Sequence, residues 1–102
     1  MSHPTKKRYA MLGLCEARHE MPVKAYFFPQ KVDPLNVSGL EEQSMKKIQE
    51  IRNCGFDGIT LYTTGLTQAL ASVVKACAKT NTPLRLMHYD RDTRRYYPQD
   101  VM

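Results

Sequence analysis

Apolar positions along the chain follow two periods, and the switches between them mark the elements. Residues 8–15, RYAMLGLC, form an apolar run that predicts a buried strand. Residues 23–28, VKAYFF, predict a second strand rich in β-formers. After an irregular stretch held open by Pro29 and Pro34, Ser38 and Glu41 fit a capping box. They predict a helix from Gly39 to Asn53 with Met45, Ile48, Ile51 and Leu40 on its core face. Gly55 is the expected left-handed cap. Phe56–Tyr62 predicts a third strand. Leu70, Val73, Val74 and Cys77 predict the apolar stripe of a second helix, from Leu66 or Thr67 to Lys79. Leu84–Tyr89 predicts a fourth strand, and Tyr96–Val101 a short last one after the turn DRDTRR.

The order is ββαβαβ with a terminal β. It describes a small α/β sandwich, with a mixed, mostly parallel sheet of four to five strands and two helices. Strand three, helix two and strand four form a right-handed βαβ unit. The connection between strands one and two is too short for a helical crossover, so these two are expected to be antiparallel neighbours. The reading is of one domain over residues 1–102, with residues 1–7 as a flexible basic N-terminus. Two helices leave part of such a sheet uncovered, and a homodimer is the expected way to bury it.

Composition narrows the class. Apolar residues at 42% and charged residues at 25% are ordinary for a globular protein. No run approaches the ~18 apolar residues of a membrane span. No apolar segment follows MSHPTKKR as in a signal peptide, so a cytoplasmic location is expected. Cys15, Cys54 and Cys77 are far apart, with no C-x-x-C pair, and read as small buried hydrophobes. Net charge is +5, with basic residues gathered at both ends. That excess favours an anionic partner, a nucleic acid or a phosphorylated small molecule, and serves equally as a solvated face.

Three clusters carry candidate chemistry. In Thr63-Thr64-Gly65-Leu66-Thr67, Gly65 permits close backbone approach, and Thr63, Thr64 and Thr67 offer hydroxyls at a helix start. The same threonines suit a plain helix cap. Walker and G-x-G-x-x-G patterns are absent. In Glu16-Ala17-Arg18-His19-Glu20, Arg18 suits a phosphate clamp and His19 suits acid–base work, or the segment is an ion-paired surface loop. If strand one lies beside strand three, this loop opens at the same sheet edge. In Met87-His88-Tyr89-Asp90-Arg91, His88 and Arg91 emerge near the Gly65 turn, with a structural histidine as the alternative. No second His or Cys stands at ligand spacing, so neither metal nor cofactor is expected.

Residues 56–101 carry a resemblance: ITLYTT ending in Gly65-Leu66, the alanine-rich QALASVVKACAKT, then LRLMHYDRDTRR. Together they resemble the small stand-alone Rossmann-like proteins of CRISPR accessory loci, the CARF-type sensors and ring nucleases. The early β-β connection departs from that pattern. The resemblance implies a homodimer binding a cyclic oligonucleotide across its two-fold axis. Thr63, Thr64, Gly65 and Thr67 would then sit at the ligand-facing turn, and Arg18 and His19 after the first strand. The functional expectation is binding of an anionic nucleotide through these residues and Arg91, with metal-independent phosphodiester cleavage by His19, Arg18 and His88. Its alternatives are a non-enzymatic protein-interaction module of phage or mobile-element origin, and a basic nucleic-acid binder.

Overall fold

The computed structural model describes residues 8–15, 22–23, 25–28, 33, 35–63 and 67–101. Among them the elements follow as β1 (Tyr9–Cys15), β2 (Tyr26–Phe28), α1 (Val37–Asn53), β3 (Gly58–Tyr62), α2 (Thr67–Thr80), β4 (Leu84–Asp90) and β5 (Arg95–Asp100). The chain is α/β, with a mixed, mostly parallel five-stranded sheet and two helices. Strand order is β2-β1-β3-β4-β5, and only the β4–β5 pair is antiparallel.

One expectation about the sheet is overturned: β1 and β2 are parallel. The reason is the shortness of β2. It pairs only with the end of β1, Gly13 with Tyr26 and Cys15 with Phe28. Returning to that level costs about 7 Å along the strand, two residues of rise. A parallel partner this short needs no crossover long enough to return the chain to the start of a full-length strand.

The register sorts side chains onto two faces. Ala10, Leu12 and Leu14 of β1 line up with Ile59 and Leu61 of β3, Leu84 and Leu86 of β4, and Phe27 of β2. All are buried, and they form the core with the helices. The crossovers from β2 to β3 and from β3 to β4 run the same way across the sheet, so right-handedness puts both helices on this face. The Lys75 ammonium donates to Glu41 Oε1 at 2.8 Å, joining α2 to α1. The opposite face carries Tyr9, Met11, Thr60, Tyr62, Arg85, Met87, Pro98 and Asp100, with no helix over it among the described residues.

Both helices are rotated relative to their apolar stripes. Helix α1 buries Leu40, Ser44, Ile48 and Ile51, and Met45 is exposed. Ser44 is tolerated inside because its hydroxyl donates to the Leu40 carbonyl at 2.7 Å. Helix α2 buries Ala69, Ser72, Val73, Ala76 and Cys77, while Leu70 and Val74 are half-buried. Small side chains bring the α2 backbone close to the sheet.

The N-cap of α1 is Asn36, not Ser38: Asn36 Oδ1 accepts from Gly39 N at 3.2 Å, so the helix begins two residues early. Its C-terminal end is the expected one. Gly55 has φ +91°, Gly55 N donates to Arg52 O at 3.0 Å, and Phe56 N to Ile51 O at 3.4 Å, a Schellman motif. That motif leaves Cys54 outside the helix and exposed, contrary to the reading of all three cysteines as buried. Cys15 is half-buried and Cys77 buried.

Edge strand β5 holds Pro98 opposite Met87. Val101 N donates to Leu84 O at 2.9 Å, so alternate residues counted back from Val101 point their amides at β4. Pro98 falls in the other set, and its ring nitrogen faces outward, where no ladder bond is lost. No helix among the described residues is long and apolar enough to cross a membrane.

Candidate functional site at the ends of the parallel strands

Strands β1, β3 and β4 run parallel and end near one another, Gly13 level with Tyr62 and Tyr62 level with Met87. The end of β3 is clasped to β4. Thr63 N donates to the Met87 carbonyl at 3.0 Å, and Thr63 Oγ1 donates to the same carbonyl at 3.2 Å. From this edge the chain leaves β1 towards β2 and leaves β3 towards β4, in opposite directions across the sheet. Such a divergence opens a crevice between neighbouring strand ends.

The expected site residues fare differently here. Arg18 and His19, and Thr64 and Gly65, lie outside the described residues. Thr63 is buried and its single hydroxyl proton is already given to Met87, so it holds the strand end. Thr67 is exposed at the first position of α2, where backbone N–H groups have no helical partner. His88 is one residue past Met87, beside Thr63 on the helix-bearing face of the sheet. Arg91 lies three residues further, in the turn between β4 and β5, about 10 Å along the strand. Thr63 and His88 are thus brought together, with Arg91 displaced outward.

His88 is well held. Its Nε2 lies 2.7 Å from Gln99 Oε1, a hydrogen bond across the β4–β5 hairpin. Its ring meets that of Tyr97 at 5.4 Å, tilted by 38°. Asp90 orders the turn: Oδ1 accepts from Asp92 N at 3.1 Å and Oδ2 from the Thr93 hydroxyl at 2.9 Å.

Two features escaped the sequence reading. The first is a tyrosine cluster on the open face. The Tyr96 ring packs edge-on against Tyr62 at 4.8 Å and against Tyr89 at 5.2 Å. Burial, and then the nearby Tyr89 and Tyr62, push the Tyr96 hydroxyl above its ordinary value. The alternation of Met87, His88 and Tyr89 hinted at it, but pairing Tyr96 with Tyr89 needs the hairpin register. The second is a shallow depression of about 420 Å³ lined by Met11, Thr60, Tyr62, Arg85, Met87, Pro98 and Asp100. Its polar part is Arg85, whose Nε donates to Asp100 Oδ1 at 2.7 Å and whose guanidinium lies 5.7 Å from the Tyr9 ring. That pairing raises the Arg85 pKa further. Among the described residues, no three His, Cys, Asp or Glu side chains are grouped to hold a metal ion. Comparison of the chain with protein-family models, with curated proteins and with solved structures finds no match.

Proposed function

We propose that the chain binds an anionic nucleotide, of the cyclic oligonucleotide class, at the C-terminal edge of its parallel strands. The supporting observation is the strand order. β1 and β3 are parallel neighbours whose chain exits diverge, the arrangement at which open α/β sheets take their ligands. The segment with Arg18 and His19 follows β1 in sequence, and Thr64-Gly65 follows β3. We read the fold as a small Rossmann-like sandwich; the parallel β1, β3 and β4, with α2 crossing between β3 and β4, support this.

In this reading Gly65 lets the backbone approach a phosphate, Thr64 and Thr67 donate to its oxygens, and Arg18 and Arg91 neutralise it. Thr63 keeps the turn in place. His19 acts as acid or base on a phosphodiester, with Arg18 stabilising the developing charge and His88 as the second histidine, without a metal. Two copies of the chain complete the site.

The test is thermal melting with a panel of cyclic oligonucleotides. A ligand at a hundredfold over Kd adds about 2.7 kcal/mol of stability, a rise of roughly 10 °C or more for a chain of this size. Arg18→Ala and Thr64→Val should weaken binding, and His19→Ala should reduce turnover more than affinity. Unchanged melting with every nucleotide refutes the proposal. The open sheet face favours a second reading, a non-enzymatic protein-interaction module, for which no nucleotide shifts the melting point. Met11, 53% exposed in the middle of β1, is the residue that speaks for it.

A further inference from the structure

We propose that the outer half of the β4–β5 hairpin is a docking arm for single-stranded nucleic acid. It is a surface separate from the strand-end crevice, although Arg91 borders both. The hairpin projects. β3 makes its last pair with β4 at Met87, but the β4–β5 ladder continues through His88 with Tyr97, Tyr89 with Tyr96 and Asp90 with Arg95. That carries the turn about 10 Å beyond the last β3–β4 pair.

The charge on this arm is unspent. Arg91, Arg94 and Arg95 are exposed, and their side chains make no hydrogen bond or ion pair among the described residues. The other described arginines are engaged: Arg52 Nη1 donates to Asp57 O, Arg85 pairs with Asp100, and Arg8 lies over the Phe56 ring. Asp90 is taken up inside the turn by Asp92 N and Thr93, and Asp92 makes no ion pair with the three arginines. A row of free guanidinium groups on an arm of a +5 chain calls for a polyanion.

The aromatic component selects single strands. Tyr97 is 53% exposed on an edge strand, and its ring is braced by His88, itself fixed by Gln99. Arg95 stands two residues away on the same strand face, so a guanidinium and an open tyrosine ring sit side by side. Between them and the turn is a depression of about 550 Å³ lined by Asp90, Thr93, Arg95, Tyr96 and Tyr97. A preset aromatic ring beside phosphate-binding arginines suits an unstacked base and its flanking phosphates, which a duplex does not present.

The experiment is fluorescence anisotropy of the full chain with end-labelled oligo-dT and oligo-rU of ~12 nucleotides, within the usual site size of single-strand binders. A labelled duplex of equal length is the third probe, and each is titrated across salt concentration. Both single strands should bind at low salt and tighter than the duplex; their ratio tells whether DNA or RNA is preferred. Tyr97→Ala should weaken binding about tenfold, as loss of one stacked base does, and Tyr97→Phe should restore it. Arg94→Gln/Arg95→Gln should lower the salt slope by more than one, at ~0.7 per phosphate contact, and leave any cyclic-nucleotide melting shift intact. Lys46→Gln/Lys79→Gln, which removes equal charge from the helices, should leave the slope unchanged. Absence of binding at about 50 mM salt overturns the proposal. So does equal affinity for the duplex, or a salt slope that the paired arginine variant does not change.

Discussion

The Met87 carbonyl takes two donors from one residue, the amide and the hydroxyl of Thr63. Thr63→Val keeps the shape and the amide bond but loses the hydroxyl. It should cost about 1 kcal/mol in urea denaturation, the usual net worth of one hydrogen bond. Gly58 is a harder constraint. A Cβ there would stand 2.8 Å from the Pro83 carbonyl oxygen and 3.0 Å from the Tyr9 ring. Since Arg85 lies over that ring, Gly58→Ala should both destabilise the chain and disturb the open-face depression, read as a lowered melting point and a changed tyrosine spectrum. The cysteines differ in chemistry. Burial pushes the Cys77 thiol up to about 12, while Cys54 is exposed. A thiol reagent at pH 8 should label Cys54 in the native protein and Cys77 only on unfolding. The unfolded thiol ionises near 9 and the folded one near 12, so this group's contribution is intact below about pH 9 and is lost as pH rises towards 12. Cys77→Ala should flatten that alkaline decline, measured as denaturation midpoints between pH 8 and pH 11.

At the level of elements, the strands and helices were legible because their apolar periods are clean and Gly55 punctuates them. What was not legible was rotation. Met45 and Leu70 are the larger apolar side chains, yet Ser44 and Ala69 face the core, because close helix–sheet and helix–helix packing selects for size as well as polarity. A serine that can return its proton to the preceding turn is invisible as a core residue in a hydropathy pattern. The start of α1 was misplaced for a related reason. Ser38 and Glu41 have capping-box spacing, but Asn36 caps equally well and comes earlier. Asn36→Ala should therefore cost about 1 kcal/mol, and Ser38→Ala only a few tenths, in equilibrium unfolding. Leu61, fully buried in the centre of β3, sets the scale for comparison. Leu61→Ala should cost about 3 kcal/mol.

Across the whole molecule, element order was readable and strand pairing only in part. The expectation of an antiparallel β1–β2 pair came from loop length alone, which cannot tell a long second strand from one of three residues. The candidate site was legible as residue types and not as geometry. Thr63 and His88 are neighbours only because β3 and β4 are parallel in this register, and the tyrosine cluster exists only through the hairpin. Pro98 sets a boundary on how the molecule can associate. Its outward nitrogen denies a neighbouring strand a donor midway along β5, which opposes strand accretion at that end of the sheet. A chain with a tyrosine-rich open face and a clean edge would have two directions of growth, stacking and lateral extension, which together describe a fibre. The proline opposes the second. Pro98→Thr should promote it, shortening the lag before light scattering rises in concentrated solution.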